Sequence, residues 1–367
     1  MPIIWRYLLR SFFQVLLLCV SSFIAVLLVL RFQEIARFAS SGTAKAKVFL
    51  FALLQIPYIL PIAIPVSCLI TAMLLFQRLS KTHELTAFRT CGLGLKPITT
   101  PLMFAGLFLT FVNLTISCEI APRCKALSKE LIYQTAAANP LFLLQKESLV
   151  KLKNAYIDIK MLKSGKYAED VVFAIKNTSN NRLTLMIAKE LSLSGELLKG
   201  EHVSLISSVD PKKASGFDHL VIENQSVMNT KASNLSQYTQ NNDWDTTYDY
   251  QSLRMILARE SIEKAHDSIF SIGRSAQLEL SRRLSISIAA FTFTLIGVAF
   301  GIQISRNRSK KGIICAIALA SFYLVCFVIA KSLKHCPALS SMIFLLPHPL
   351  IILLSLRSLK SINEGVE

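Results

Sequence analysis

Glu84, Leu85, Phe88, Arg89 and Gly92 fall at the spacing that lets one short helix carry a charge, an apolar ridge and a stop signal. In the stretch from Gln77 to Gly92, an acidic residue near the start and a basic one near the end both complement the helix dipole. Leu85 and Phe88, three apart, share a side, and Gly92 is placed to end the helix in the left-handed conformation. The chemistry on offer is noncovalent: such a helix seats in a groove on a soluble partner or packs on lipid, and the spacing alone leaves both open. A second set, Arg31, Arg37, Lys45 and Lys47, gathers cations at the ends of the first two long apolar stretches. There they either hold an anionic ligand or reach out to phospholipid headgroups. Covalent chemistry has no comparable foothold. His83-Glu84 lacks the second histidine of a zinc-protease helix, no glycine-rich lysine loop for nucleotide phosphates is present, and the eight cysteines include no Cys-x-x-Cys pair. No catalytic residue, metal site or cofactor follows, and a chain of this kind cannot hydrolyse ATP alone.

The elements that must position these groups are membrane spans. Six apolar runs, Phe12 to Leu30, Val48 to Phe76, Ile98 to Cys118, Ile286 to Ile304, Gly312 to Ala330 and Leu339 to Leu356, each approach or exceed the roughly 20 residues a helix needs to cross a hydrocarbon core of about 30 Å. With 52% hydrophobic and only 17% charged residues, the composition agrees. The first run follows Arg6 and Arg10 like a secretion signal, but it is too long for one and no small-residue cleavage site follows, so it is read as a retained anchor. The expected organisation is residues 1–120 with spans one to three and a coupling helix over 77–92, an extramembrane domain over 121–275, and residues 276–367 with spans four to six.

Lysine and arginine in short loops set the orientation. With the N-terminus inside, twelve fall on the inner face (Arg6, Arg10, Arg78, Lys81, Arg89, Lys96, Arg306, Arg308, Lys310, Lys311, Arg357 and Lys360). Eight fall outside (Arg31, Arg37, Lys45, Lys47, Arg282, Arg283, Lys331 and Lys334). Both termini are therefore expected in the cytoplasm and the insert outside. Most of the net charge of +17 belongs to the membrane-flanking parts, and no continuous basic stripe marks a nucleic-acid surface.

Within the second span Pro57, Pro61 and Pro65 recur every fourth residue. Each removes a backbone donor, so neighbouring spans must satisfy the freed carbonyls. Gly297 and Gly301 form a Gly-x-x-x-Gly pair that permits close helix approach, to a neighbouring span or to another subunit. The insert carries short alternating or β-branched runs at 155–160, 171–175, 182–187 and 203–206, separated by turn residues, which predict an all-β sandwich or open barrel. From Gln251 to Arg283 the pattern turns helical.

The string Glu-Leu-Thr-Ala-Phe-Arg-Thr-Cys-Gly at 84–92 resembles the coupling-helix signature of the lipopolysaccharide-export permeases LptF and LptG. The opening Ile3-Ile4-Trp5-Arg6-Tyr7-Leu8-Leu9-Arg10 is similar to the start of the LptF type, and Glu279-Leu280-Ser281-Arg282-Arg283-Leu284 with the Gly297 and Gly301 span also fits. The resemblance implies a polytopic α-helical protein of six spans with an inserted, jellyroll-like periplasmic β domain that receives acyl chains. It implies an LptG-like second permease, a cytoplasmic LptB-like ATPase dimer, LptC- and LptA-like bridge proteins, and lipopolysaccharide as cargo. By the same resemblance Glu84, Leu85, Phe88, Arg89 and Gly92 would lie in or beside the ATPase groove. Arg31, and with less support Arg37, Lys45 and Lys47, would face lipid phosphate. Leu346-Pro347-His348-Pro349 departs from the family, which often has Asn after the first Pro. Two other classes stay open: a force-transmitting subunit resembling FtsX or MacB, whose large domain follows the first span, and a non-transporting membrane receptor.

Overall fold

The computed structural model describes residues 3–40, 44–138, 149–152, 155–163, 167–176, 183–194, 197–208, 220–231, 248–263, 269–302, 311–333 and 336–363. The loop from 303 to 310, with its expected basic residues, and Lys334 lie outside them. The chain divides into two compact units, one of Met1–Leu30, Gln55–Ala126 and Thr247–Glu367, the other of Arg31–Leu54 and Leu127–Thr246. The second unit joins Leu127–Thr246 with the stretch after span one and the first turns of span two.

All six apolar runs are helices. They are α1 (Ile3–Leu30), α3 (Lys45–Lys81), α5 (Leu95–Thr115), α8 (Ile269–Gly301), α9 (Lys311–Ser332) and the pair α10 (Pro337–Leu345) and α11 (Pro347–Asn363). Between them lie α2 (Phe32–Ser40), α4 (Glu84–Thr90), α6 (Ala121–Ala138) and α7 (Leu253–Glu263). A π turn at Ile116–Ile120 joins α5 to α6, so span three does not stop where its apolar run does.

In the first unit α8 is heavily enclosed, with Ala289, Ala290, Phe293, Ile296 and Val298 at 1% exposure or less. Small residues let its neighbours close in. A Cβ at Gly297 would stand 2.6 Å from the Leu69 carbonyl of α3, and one at Gly106 of α5 would stand 3.0 Å from Thr294 Oγ1. The glycine pair thus packs on span two, which settles the open choice of partner. Helix α3 continues unbroken through its three prolines. Pro65 has no N–H to offer the Pro61 carbonyl one turn earlier. The buried Asn113 Nδ2 of α5 donates to that carbonyl at 3.2 Å and to Ile286 O of α8 at 3.1 Å. One amide therefore meets the demand created by Pro65 and ties three spans together, as backbone groups in lipid require.

In the second unit six strands, β1 (Leu149–Leu152), β2 (Ala155–Lys163), β3 (Tyr167–Lys176), β4 (Leu183–Ser194), β5 (Leu197–Ser208) and β6 (Leu220–Lys231), form one antiparallel sheet in sequential order. The described residues from Leu149 to Lys231 are all strand, as the β runs led one to expect, and they trace a meander rather than the crossed strand order of a jellyroll, whereas both ends of the expected insert are helical. Val171, Ala188 and Val203 align across β3, β4 and β5 and are buried. One step along, Asp170 and His202 take left-handed conformations at φ 50° and 51°, and pairing skips Lys189 at that level. Asp and His tolerate this region better than most residues, so the kink falls on suitable side chains. Phe38 of α2 stacks on Phe51 of α3 at 4.6 Å.

Candidate functional site

Helix α3 runs on to Lys81, so Gln77–Lys81 belongs to the span and the separate helix is only Glu84–Thr90. The expected helix over 77–92 is corrected by one residue: His83 sits at φ 61°, and a left-handed residue cannot propagate a right-handed helix. At the other end Gly92 is left-handed at φ 84°. Its N–H donates to Arg89 O at 3.0 Å, and the Leu93 N–H donates to Phe88 O at 3.1 Å. These are the two bonds of a Schellman cap, which satisfy carbonyls the helix end leaves open.

Leu85 is 2% exposed and packs with Leu8, Phe12, Leu79, Leu95 and Ile98, with Phe88 against the same core. The apolar ridge thus fastens α4 to its own chain, with Leu85 buried and Phe88 half-buried. Glu84 is half-buried, and Tyr7 Oη donates to its Oε2 at 3.0 Å. Thr82 Oγ1 lies 3.0 Å from Glu84 Oε1 and also 3.0 Å from Arg78 O, so its single proton serves one acceptor at a time. Trp5 Nε1 donates to Pro97 O at 3.1 Å. Thr86, Ala87 and Thr90 are exposed, and Arg89 is half-buried in the last turn.

The expected cationic ring falls in the second unit. Arg31 lies in the turn between α1 and α2, its Nη1 2.8 Å from Glu34 Oε1. The sequence reading overlooked that carboxylate, although its i, i+3 position signals it. Lys45 and Lys47 are exposed in the first turn of α3. Arg37 lies in α2, and its side chain is outside the described residues.

Arg282 and Arg283, counted above as outer interfacial charges, are instead built into an ionic network. Arg283 is 2% exposed. Its Nε donates to Glu279 at 2.8 Å, Nη2 to Tyr248 O at 2.9 Å and Gln251 O at 3.0 Å, and Nη1 to Cys118 O at 3.4 Å. Cys118 lies in the π turn, where the helical ladder is disturbed, and the guanidinium supplies a donor there. Arg282 bridges Glu279 and Asp249, and Lys125 reaches Asp249 at 3.2 Å while standing over the Tyr250 and Tyr58 rings at 4.6 and 5.2 Å. The 3₁₀ turn Tyr248–Tyr250 is thereby clamped to α6 and α8.

Burial by itself would raise the Asp249 carboxyl pKa, but Arg282 and then Lys125 outweigh it and hold the value below the usual 3.8. A carboxyl held lower in the folded than in the unfolded state contributes fully above its unfolded value, and the contribution disappears as pH falls through the folded one. The thermal midpoint of the purified protein is therefore expected to drop in this acid range, and Asp249→Asn should flatten that part of the profile. An unchanged acid limb in the variant would remove Asp249 from the account.

A second cluster missed in the sequence surrounds His348, which is 4% exposed. Ser285 Oγ donates to Phe344 O at 2.8 Å. Having one proton, it accepts from Tyr323 Oη at 3.2 Å and from His348 Nε2 at 3.1 Å. The imidazole thus joins span six to spans four and five through Ser285 and Tyr323.

The arrangement as a whole offers docking, anchoring and charge, with a short capped helix at one set of span ends. A family model described as Lipopolysaccharide export system permease LptF/LptG matches residues 6–361. No individual curated protein matches the chain.

Proposed function

The chain belongs to the LptF/LptG family of lipopolysaccharide export permeases, and from that premise we propose that it is the LptF-type subunit of an ATP-driven complex that extracts lipopolysaccharide or lipooligosaccharide. It is a multi-pass protein of the inner membrane with six apolar helices. In the proposal it pairs with an LptG-like permease, an LptB-like ATPase dimer works from the cytoplasm, and LptC- and LptA-like proteins receive the lipid in the periplasm. The observation that carries this reading is α4: a capped helix between spans two and three whose apolar side is fixed to the chain's own core and whose Glu84 remains accessible. Leu85 and Phe88 seat the helix, while Glu84, Arg89 and Gly92 present its charge and its end to the ATPase. Motion imposed there enters the bundle through packed side chains.

Orientation with both termini in the cytoplasm gains support from Arg283, whose burial removes it from the interfacial cations on the outer side, and from Arg282, which is paired within the same network. At the outer ends of spans one and two, Arg31, Arg37, Lys45 and Lys47 hold lipid phosphates. The β-sheet then shields acyl chains, each methylene removed from water contributing about 0.8 kcal/mol. Ile187, Ile222 and Val227 remain 39 to 59% exposed on its strands and offer apolar surface for that purpose.

Affinity purification in mild detergent, with every bound protein and lipid identified, tests the reading. A cytoplasmic ATPase and a phosphorylated glycolipid are expected together. An ATPase without lipid would favour a force-transmitting subunit, and neither would favour a receptor. Arg31→Glu should lower crosslinking of phosphorylated glycolipid more than Lys331→Glu does, because Lys331, in the last turn of α9, is not among the four cations given this role. Equal losses would indicate generic headgroup contact.

A further inference from the structure

We propose that Tyr7 is a positioning residue for Glu84, and that the bond between them makes α1 an output of α4 alongside the two spans α4 connects. This rests on the reading of α4 as the element that meets the ATPase. Chain connectivity alone places α4 in series with α3 and α5, and gives α1 no part in its motion. Three contacts at the start of α1 change that. Tyr7 Oη donates to Glu84 Oε2 at 3.0 Å, and Trp5 Nε1 donates to Pro97 O at 3.1 Å just beyond α4. Leu8 and Phe12, both at 0% exposure, share a core with Leu85. The same end of α1 therefore grips α4 through a polar bond, an apolar seat and a bond to the segment that follows. Because α1 is one helix from Ile3 to Leu30, displacement at Tyr7 is carried along its length of about 42 Å at 1.5 Å per residue.

The bond also prepares Glu84 for a partner. A glutamate side chain in solution samples many rotamers, and binding must first remove that freedom. Here Tyr7 occupies one carboxylate oxygen and Thr82 approaches the other. An ionised carboxylate accepts at about four lone-pair positions, so two such contacts orient the group and leave room for a cation or N–H from the partner. Orientation fixed in advance favours association. Tyr7 is itself 42% exposed, so the ring does not bar approach to Glu84.

The test compares wild type, Tyr7→Phe, Glu84→Ala and the double variant in the complete complex, reconstituted in liposomes that contain lipopolysaccharide. Two quantities are read: ATPase retained by the permease, and lipid released per ATP hydrolysed. Phenylalanine keeps the ring and its packing and removes only the hydroxyl. The expected result is a loss of about three- to tenfold in lipid released per ATP for Tyr7→Phe, the scale of one ordinary, solvent-exposed hydrogen bond, with an unchanged thermal midpoint. The double variant should be no worse than Glu84→Ala alone, since two residues acting through one contact are not additive. If Tyr7→Phe matches wild type while Glu84→Ala is impaired, the inference fails and the coupling reading of α4 stands. Additive losses in the double variant would also overturn it, because Tyr7 would then act elsewhere. If Glu84→Ala is itself harmless, the reading of α4 falls and takes the inference with it.

Discussion

Glu84→Ala is expected to strip the ATPase from the purified permease while leaving the permease folded. The seat of α4 is apolar and does not use the carboxylate: Leu85 is buried and Phe88 packs beside it, while the Schellman cap at Gly92 uses only backbone. Removing Glu84 leaves the Tyr7 hydroxyl without its acceptor, but Tyr7 is 42% exposed, so water replaces it at little cost. In the proposed coupling, what is lost is a pre-oriented negative charge offered to the ATPase. Truncating one member of a charged, hydrogen-bonded pair across an interface costs about 2 kcal/mol or more, roughly 30-fold in affinity. Co-purification at fixed ATPase concentration reads this directly, with the thermal midpoint of the permease as the control for folding. Recovery of the complex equal to wild type would sink the role given to Glu84.

Gly297→Leu is expected to prevent assembly of the bundle itself. Even the first side-chain carbon would stand 2.6 Å from Leu69 O and 2.7 Å from Ala72 Cβ. A backbone carbonyl held in a helix cannot swing aside as a flexible side chain can, so spans two and four would have to separate. Separation would strain the Asn113 bonds to Pro61 O and Ile286 O, which cross the same helices. Overpacking of this severity costs about 3 kcal/mol or more, a large part of the stability of an ordinary domain. A much lower thermal midpoint and poor recovery of monodisperse protein in detergent are expected. Gly94→Ala serves as the comparison: its added carbon would meet only Pro97 Cδ, at 3.9 Å, and should change little. Normal recovery and melting of Gly297→Leu would show that the two spans are not held at this distance.

The six spans were legible because a hydrocarbon core imposes one length and one composition on any helix that crosses it. Their ends were less so. Helix α3 runs from Lys45 to Lys81 around an apolar run of Val48 to Phe76, since lysine and arginine extend a helix readily beyond the apolar layer. Strands β2, β3 and β5 each contain a run read from the sequence and β4 overlaps one from Leu183, but β1 is only four residues long and β6, with Glu223-Asn224-Gln225-Ser226 at its centre, lacks the alternation that reveals a strand. The glycine stop at Gly92 could be foreseen because it is local. The left-handed His83 could not, since nothing in its neighbours demands it.

Long-range partners account for the remaining misses. The three prolines announced that carbonyls would be freed, yet the donor, Asn113, lies 52 residues from Pro61. Arg283 looked like an interfacial charge because its acceptors are mostly backbone carbonyls on other segments, which have no sequence signature. Leu85 and Phe88 were correctly seen as a ridge, but an apolar ridge does not state whether it faces a partner or its own core. That choice was made by Leu8 and Phe12 in a helix at the far end of the chain segment.

The central claim is that this permease, driven by an ATPase it does not contain, moves lipopolysaccharide out of the inner membrane. It is tested most directly by depleting the protein in cells and following pulse-labelled lipopolysaccharide to the cell surface. The account predicts that label stays in the inner membrane and that wild-type protein, but not Glu84→Ala, restores its export. Arrival of label at the surface at the normal rate in depleted cells would contradict it.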